Sequence, residues 1–314
     1  MTHASNSSAV HLGWSVPRGH VEPAHGPQAK DGGPLRAAYF GCLGGLVVVA
    51  TVYGLVAEDA YRLVPALTRQ TWRAQDAVTL LLVPVLLWSS RRARAGSLSG
   101  HLLTTGIALW LAYCYAHLSI GAPLNPLFLV YVAILGLAGF ATLDGVVRLD
   151  VTATSPAFGR APRRAATWLL TAGGIGTAAL WLTEIIGAWP DGRPPNLHLS
   201  ELPNPTWVLD LAWTIPMSLG AAALVLRRHA AGPVLAAVML VFLLVLSASM
   251  VVVTPLAWAA GLQTDPGVRN QIIVFTVLFT ILGAVEAWLL AMGQRRMGTV
   301  TASWLRAGWW PTAT

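Results

Sequence analysis

The chain has 314 residues, of which 55% are apolar and only 11% are charged, and its mean hydropathy is +0.61. A soluble domain usually carries about 25% charged residues, so this composition leaves too little polar surface for a water-facing globule and excludes an ordinary soluble enzyme. The net charge of +7 comes from short basic clusters between long apolar runs, which indicates membrane topology and argues against a nucleic-acid-binding surface.

Residues 1–36 are rich in His, Ser, Gly and Pro and contain no apolar core. Such a segment cannot bury enough surface to offset the entropy of ordering, so we expect a disordered cytoplasmic tail. It does not read as a secretory signal, because no apolar region follows a charged start.

After the tail, the chain predicts an all-α integral membrane protein with eight transmembrane helices. A hydrocarbon core about 30 Å thick needs roughly 20 apolar residues per helix. Pro84 in the second predicted helix and Pro216 in the sixth predict kinks. The eight predicted spans are 37–57, 75–90, 100–119, 127–146, 167–188, 207–226, 233–254 and 271–292.

The second and sixth spans share an order of residue types, which predicts two tandem four-helix units. The units would cover 37–146 and 167–292, joined by a cytoplasmic linker at 147–166 and followed by a cytoplasmic tail at 293–314. Convergence of apolar helices with similar ends is the alternative. The matched residues are Thr71, Trp72, Asp76, Thr79, Pro84, Arg91 and Arg92 in and beside the second span, and Thr206, Trp207, Asp210, Thr214, Pro216, Arg227 and Arg228 in and beside the sixth.

Basic residues predict the orientation, because Lys and Arg concentrate in short cytoplasmic loops. Fifteen of the 20 lie on the side of the N-terminal tail. Both termini are therefore predicted to be cytoplasmic. The strong use of Arg over Lys, with much Ala, Gly, Val and Leu, suggests a GC-rich bacterial genome, and we expect the protein in the bacterial plasma membrane.

Three acids are predicted in the outer half of the membrane, where ionisable side chains are costly and mark functional sites by default. Asp76 and Asp210 fall in the first turn of their predicted helices, so helix capping and a functional role both remain open. Glu184 lies near the C-terminal end of the fifth span, where the helix dipole disfavours an anion. It needs a partner, and the candidates are Arg62, Arg69, Arg73 and His117.

Two further acids, Asp144 and Glu286, lie toward the inner ends of their spans. We expect both to be structural and to pair with Arg residues of the inner loops.

Polar residues of the third and fourth spans gather at the same outer depth as the first three acids. We expect them to line an outward-facing pocket with aromatic walls. A His among Tyr hydroxyls in a wet vestibule could relay protons, although a simple hydrogen bond to a neighbour is the alternative. The residues predicted to accompany the acids are Thr79, Tyr113, Tyr115, His117, Asn125 and Tyr131.

No cofactor or metal is predicted. Lys30 is the only lysine and lies in the tail, which excludes a retinal Schiff base in the membrane. The membrane histidines, His101 and His117, share one helix, which argues against paired haem ligation. Cys42 and Cys114 lie in apolar runs and cannot build a Cys-based zinc site.

Four strings together resemble a set of uncharacterised prokaryotic polytopic membrane proteins with about eight helices. The resemblance covers roughly residues 37–292 and implies an architecture without an established activity. The strings are Gln75-Asp76-Ala77-Val78-Thr79, Asn125-Pro126-Leu127-Phe128-Leu129-Val130-Tyr131-Val132, Trp181-Leu182-Thr183-Glu184 and Asn204-Pro205-Thr206-Trp207-Val208-Leu209-Asp210.

Three hypotheses for function remain open at this point. The first is a small permease or exporter whose acids bind protons or a cation, with a small apolar or cationic ligand. The second is a membrane-embedded enzyme that acts on a lipid or isoprenoid by carboxyl acid/base chemistry. The third is a non-catalytic subunit or assembly factor, with a protein partner or a second copy of the chain. The lipid bilayer is a partner in all three, and nucleic acid in none.

Overall fold

The computed structural model describes residues 33–149, 151, 160–189 and 205–297, and regular structure in these ranges is helical. The prediction of an all-α chain is confirmed. Most of the predicted N-terminal tail, much of the predicted linker and residues 298–314 lie outside the described residues. The helices are α1 Gly33–Val56, α2 Ala66–Arg94, α3 Leu98–Gly121, α4 Phe128–Val147, α5 Arg160–Ala188, α6 Pro205–Leu226, α7 Ala231–Ala259 and α8 Pro266–Met297.

Among the described residues, 7 helices are long and apolar enough to cross a membrane. This supports the prediction of a multi-pass membrane protein. The remaining helix, α2, has 29 residues and is long enough, but its first half carries several charged and amide side chains. Those polar residues include the acid Asp76, which is buried inside the protein.

The largest difference from the predicted boundaries is the start of α2, at Ala66 and not at residue 75. Hydropathy alone misses the first turns because they contain charged and amide side chains. Gln70, Trp72 and Ala74 are buried against the rest of the bundle, so packing within the protein stabilises this part of the helix. α5 and α8 also begin before their predicted spans.

α3 lies at the centre of the bundle. It is buried along almost its whole length, and it packs against α2, α4 and α7. α5 and α8 are peripheral and expose large apolar side chains, among them Trp168, Ile175 and Ile281. This distribution suits a bundle whose outer surface faces lipid and whose centre is closed by side chains.

The first four helices and the last four have the same order of neighbours. α1 packs on α2, α2 on α3, α3 on α4, and α4 returns to α1. In the same way α5 packs on α6, α6 on α7, α7 on α8, and α8 touches α5. The two halves meet mainly where α7 packs on α2 and α3.

Of the two prolines predicted to kink their helices, Pro216 is accompanied by a change in helix type. The turn before it, Asp210–Thr214, is π-helical, and the amide of Ile215 donates to the carbonyl of Asp210. Such turns arise where an extra residue is accommodated in a helix. α2 continues through Pro84 without interruption.

The loops joining α1 to α2, α3 to α4 and α7 to α8 lie at one face of the bundle, which we call the distal face. The opposite, proximal face carries an ion-pair cluster. Asp144 accepts from Arg148 at 2.7 Å and lies 3.4 Å from Arg36, and both arginine side chains are buried. The prediction that Asp144 pairs with an arginine near the basic ends of the helices is confirmed.

Glu286 has a different partner from the one predicted. Its carboxylate accepts a hydrogen bond of 3.0 Å from Ser247 on α7, and the residue is buried between α7 and α8. The expected pairing with a loop arginine is wrong, because Glu286 faces the neighbouring helix well inside the bundle.

Candidate functional site

Neither Asp76 nor Asp210 caps a helix, so the capping interpretation is wrong for both. Asp76 lies well inside α2, which begins at Ala66. Asp210 follows the opening turn of α6 and begins its π-helical segment, with no side-chain cap bond at either boundary of that segment. Both carboxylates point into the protein, and the residues are only 4% and 6% exposed.

The first site surrounds Asp76. The hydroxyl of Tyr61, in the loop after α1, donates to Asp76 Oδ2 at 2.8 Å. Gly54 on α1 makes the approach possible, because a Cβ atom there would stand 2.0 Å from Oδ2 and 2.6 Å from the Tyr61 hydroxyl. Burial, and next the Asp76 carboxylate, raise the pKa of Tyr61 well above its usual range, so Tyr61 remains a neutral donor.

Two more tyrosines complete this site, one from α3 and one from α4. The rings of Tyr115 and Tyr131 are 5.9 Å apart, and each residue is 1% exposed. The charge of Asp76 acts electrostatically on both phenols. Neither hydroxyl has a hydrogen-bond partner in the described part of the chain. The first site is thus one carboxylate among three phenols, contributed by four segments of the first half.

The second site surrounds Asp210, and both oxygens of its carboxylate accept a hydrogen bond. The hydroxyl of Tyr113 on α3 donates to Oδ1 at 2.7 Å, and the indole of Trp181 on α5 donates to Oδ2 at 2.8 Å. The π-helical turn that starts at Asp210 places this carboxylate between α3 and α5.

Glu184 forms a reciprocal contact beside the second site. The indole of Trp207 on α6 donates to Glu184 on α5 at 3.2 Å, while Trp181 on α5 donates to Asp210 on α6. Each helix therefore contributes one donor and one acceptor three residues apart, and we call these four residues the Trp–acid clasp. The donor that the described residues supply to Glu184 is Trp207, and none of the predicted partners Arg62, Arg69, Arg73 and His117 is hydrogen-bonded to it.

The structure distributes the predicted acids over two sites instead of one. Tyr113 and Tyr115 are two residues apart on α3. Tyr113 donates a hydrogen bond to Asp210, whereas Tyr115 lies in the electrostatic field of Asp76. Side chains two positions apart on a helix point to different sides. α3 consequently stands between a site built by the first half and a site built by α5 and α6.

The other predicted residues have mainly structural contacts. His117 is buried, not set in a wet vestibule: its Nδ1 donates to the carbonyl of Tyr113 at 3.2 Å, and its Nε2 is 3.0 Å from the hydroxyl of Thr206. Thr79 accepts from the indole of Trp110 at 3.0 Å. Asn125 accepts from the amide of Leu127 and so shapes the turn before α4.

A small cleft of about 130 Å³ opens on the distal face between the loops after α1 and α3. Asn125 and Tyr53 are part of its wall, and the ionisable side chains Asp59 and Arg62 also line it. Tyr61, in the first site, lies in the chain between Ala60 and Arg62, which both line the cleft. The first site is therefore adjacent to a surface opening.

Sequence reasoning missed Gly54, Tyr61 and the two tryptophans of the clasp. The clasp did leave a signal: Trp181 precedes Glu184 by three residues, and Trp207 precedes Asp210 by the same interval. Gly54 and Tyr61 left none, because their roles depend on the packing of α1 against α2. The acids, histidines and cysteines among the described residues do not gather into a group of three that could hold a metal ion.

Comparison with known proteins adds no relative: no family model, no curated protein and no solved structure matches this chain.

Proposed function

We propose that this chain is a proton-linked permease for a small cationic or apolar compound, with Asp76 and Asp210 as its proton-binding groups. The observation that carries the proposal is that two aspartates are buried inside the bundle, on two sides of α3, and accept hydrogen bonds from phenols and an indole. Carboxyl groups inside membrane proteins commonly belong to proton relays and transport sites.

The hydrogen-bond partners of the two aspartates favour a role in proton exchange and argue against a role in a fixed ion pair. The side chains of the described residues that donate hydrogen bonds to Asp76 and Asp210 are neutral, whereas Asp144 at the proximal face has two arginines. Burying a carboxylate without a bonded cation costs several kcal/mol, and taking up a proton removes that penalty. A group in this situation gains or loses its proton when its surroundings change.

The arrangement of helices supports a transporter made of two related units. The same order of neighbours in α1–α4 and α5–α8 favours an ancient duplication, and each half supplies one of the buried aspartates. Tandem units that can rock against each other around buried sites suit alternating access. The π-helical turn at Asp210 supplies a local irregularity of the kind found at functional sites.

The proposed setting is the bacterial plasma membrane with both termini in the cytoplasm. The distal face, with its cleft, then faces outward. The basic clusters near the proximal ends of α2 and α6, including Arg91, Arg92 and Arg227, support this orientation.

The proposal is tested with the full chain in proteoliposomes under an imposed pH gradient, with ethidium as a cationic probe. We expect proton-coupled movement of ethidium that Asp210→Asn abolishes. Asp265→Asn is the matched control, since Asp265 is exposed and caps α8 through bonds that asparagine can also accept. Wild-type ethidium flux in a folded Asp210→Asn protein would remove this acid from the mechanism.

A further inference from the structure

The exposed side of α2 changes in chemistry toward the proximal end of the helix. Its exposed side chains recur at intervals of three or four residues, so they lie on one side of the helix. Leu81 and Pro84 form the apolar part, and Leu81 is 73% exposed. Trp88 is 52% exposed, and the exposed side chains of Arg91 and Arg92 follow it. These five residues, which we call the α2 face, pass from apolar to aromatic to cationic over about three turns.

The side chain of Arg92 is positioned at both of its ends. The central carbon of its guanidinium lies 5.3 Å from the centroid of the Trp88 ring. A cation over the face of an indole is attracted by the quadrupole of the ring. At the other end, α3 packs so closely on the stem that a Cβ atom at Gly100 would stand 2.8 Å from Arg92 Cβ. The charge is thus held beside the tryptophan at the proximal end of the α2 face.

The charges of Arg91 and Arg92 are not compensated by an acid in the part of the chain that the structure describes. Asp144, at the same face of the bundle, accepts from Arg148 at 2.7 Å and lies 3.4 Å from Arg36. The guanidinium groups of the α2 face therefore keep their donors available. A guanidinium can give two parallel N–H donors to one phosphate, so adjacent arginines suit a phosphate group.

We propose that the α2 face binds one anionic phospholipid, with the lipid phosphate on Arg91 and Arg92 and an acyl chain along Leu81 and Pro84. Charge complementarity selects the headgroup. A lipid with a net negative charge is attracted by two uncompensated guanidinium groups, whereas the ammonium group of a zwitterionic lipid is repelled by them. The inference goes beyond the proposed function, because it names a specific lipid partner and does not depend on transport.

The length of the α2 face matches half of a bilayer. Leu81 precedes Arg91 by ten residues of helix, which corresponds to about 15 Å along the axis. One leaflet contributes about 15 Å of hydrocarbon. A phosphate on Arg91 therefore lets the acyl chain reach Leu81. Trp88, about one turn inside the arginines, then lies at the level of the headgroup region, where indoles are enriched in membrane proteins.

α6 offers a matched control, because it also ends on two exposed arginines, Arg227 and Arg228. Both pairs lie where a helix ends, and cations there are favoured by the helix dipole, so the two pairs share that structural role. The residues one turn before the control pair are Ala223 and Leu224, whereas the α2 face has Trp88. The two pairs therefore carry equal charge and differ in the aromatic part of the site.

The experiment is native mass spectrometry of the full chain in detergent micelles with equal amounts of phosphatidylglycerol and phosphatidylcholine. We expect the wild type to retain one phosphatidylglycerol in preference to phosphatidylcholine. Substituting Arg91→Gln and Arg92→Gln together should weaken phosphatidylglycerol binding about tenfold or more. Trp88→Leu should weaken it by a smaller factor of about two to five, because it releases the Arg92 guanidinium. Arg227→Gln with Arg228→Gln should keep the wild-type affinity.

The substituted side chains are exposed, so the variants should fold. Equal losses in the two double variants overturn the site, since the attraction would then belong to the charge of the whole proximal face. Wild-type binding of phosphatidylglycerol after loss of Arg91 and Arg92 overturns it as well, as does equal retention of the two lipids by the wild type. None of these results bears on ethidium transport, so the site and the proposed function stand or fall separately.

Discussion

At the scale of single residues, Gly54 matters because it has no side chain where α1 meets Asp76. The carboxylate of Asp76 and the hydroxyl of Tyr61 occupy the space where any larger residue would place its Cβ. A glycine on a transmembrane helix usually allows close packing of another helix. Here it allows the backbone of α1 to lie directly against the hydrogen-bonded pair of Asp76 and Tyr61.

We therefore expect Gly54→Ala to destabilise the protein by about 1–3 kcal/mol, because the new methyl group overlaps Asp76 Oδ2. Thermal unfolding in detergent micelles measures the change. Gly45→Ala is the control, since Gly45 is exposed on the same helix and its added Cβ would meet no atom within 4 Å. Equal melting temperatures for the two variants would contradict the packing described for Gly54.

The Trp–acid clasp is also a matter of individual hydrogen bonds. Trp181→Phe keeps most of the apolar surface but removes the donor to Asp210 Oδ2. Because Asp210 is only 6% exposed, the oxygen loses a partner that water cannot easily replace. We expect a loss of about 1–3 kcal/mol in the free energy of unfolding.

Trp168→Phe on the same helix is the comparison, since Trp168 is 74% exposed. Its effect on the denaturation midpoint in mixed detergent micelles should be small. A Trp181→Phe protein as stable as Trp168→Phe would show that the indole contributes nothing through its hydrogen bond.

At the scale of elements, the proximal ends of α1 and α4 are joined by charge. Asp144 on α4 bonds Arg148 one turn later and also reaches Arg36 on α1. Arg148 is 2% exposed, so its charge has little access to water. The pair holds the ends of two helices that otherwise contact each other sparsely.

Asp144→Asn should therefore destabilise the protein by about 1–3 kcal/mol, since it removes an acidic partner shared by two buried guanidinium groups. The measurement is the free energy of unfolding, with Asp265→Asn as the control for loss of one acidic charge at an exposed position. A change below about 1 kcal/mol would indicate an ion pair with the small contribution of a surface contact.

Several helices could be predicted closely from the sequence, and the reasons for the misses are physical. α3 and α4 are predominantly apolar between polar loops, so hydropathy finds them within a few residues. The first turns of α2 are stabilised by burial of Gln70 and Trp72 inside the bundle, a contact that a lipid-based scale does not include. Missing those turns placed Asp76 at a helix start and suggested capping.

The sequence predicted the depth of the site residues in the membrane but not their contacts. Depth in the membrane selected Asp76, Asp210 and Glu184, and the structure gives all three specific hydrogen bonds. Depth does not report which side of a helix a residue faces. The separation of the acids by α3 therefore required the packing of the bundle.

At the scale of the whole molecule, the two halves share an order of neighbours but not a chemistry. The first half surrounds its aspartate with phenols and lies beside a surface cleft. The second half holds its aspartate with a tyrosine and a tryptophan and clasps α5 to α6.

Coupling of transport to protons through Asp76 and Asp210 is tested most directly by recording proton and ethidium movement together in the same proteoliposomes. Asp76→Asn and Asp210→Asn are each compared with the wild type and with Asp265→Asn. If the two buried aspartates serve one transport cycle, each single substitution stops both movements, while Asp265→Asn retains them. Coupled movement at the wild-type rate in either folded aspartate variant would contradict the account.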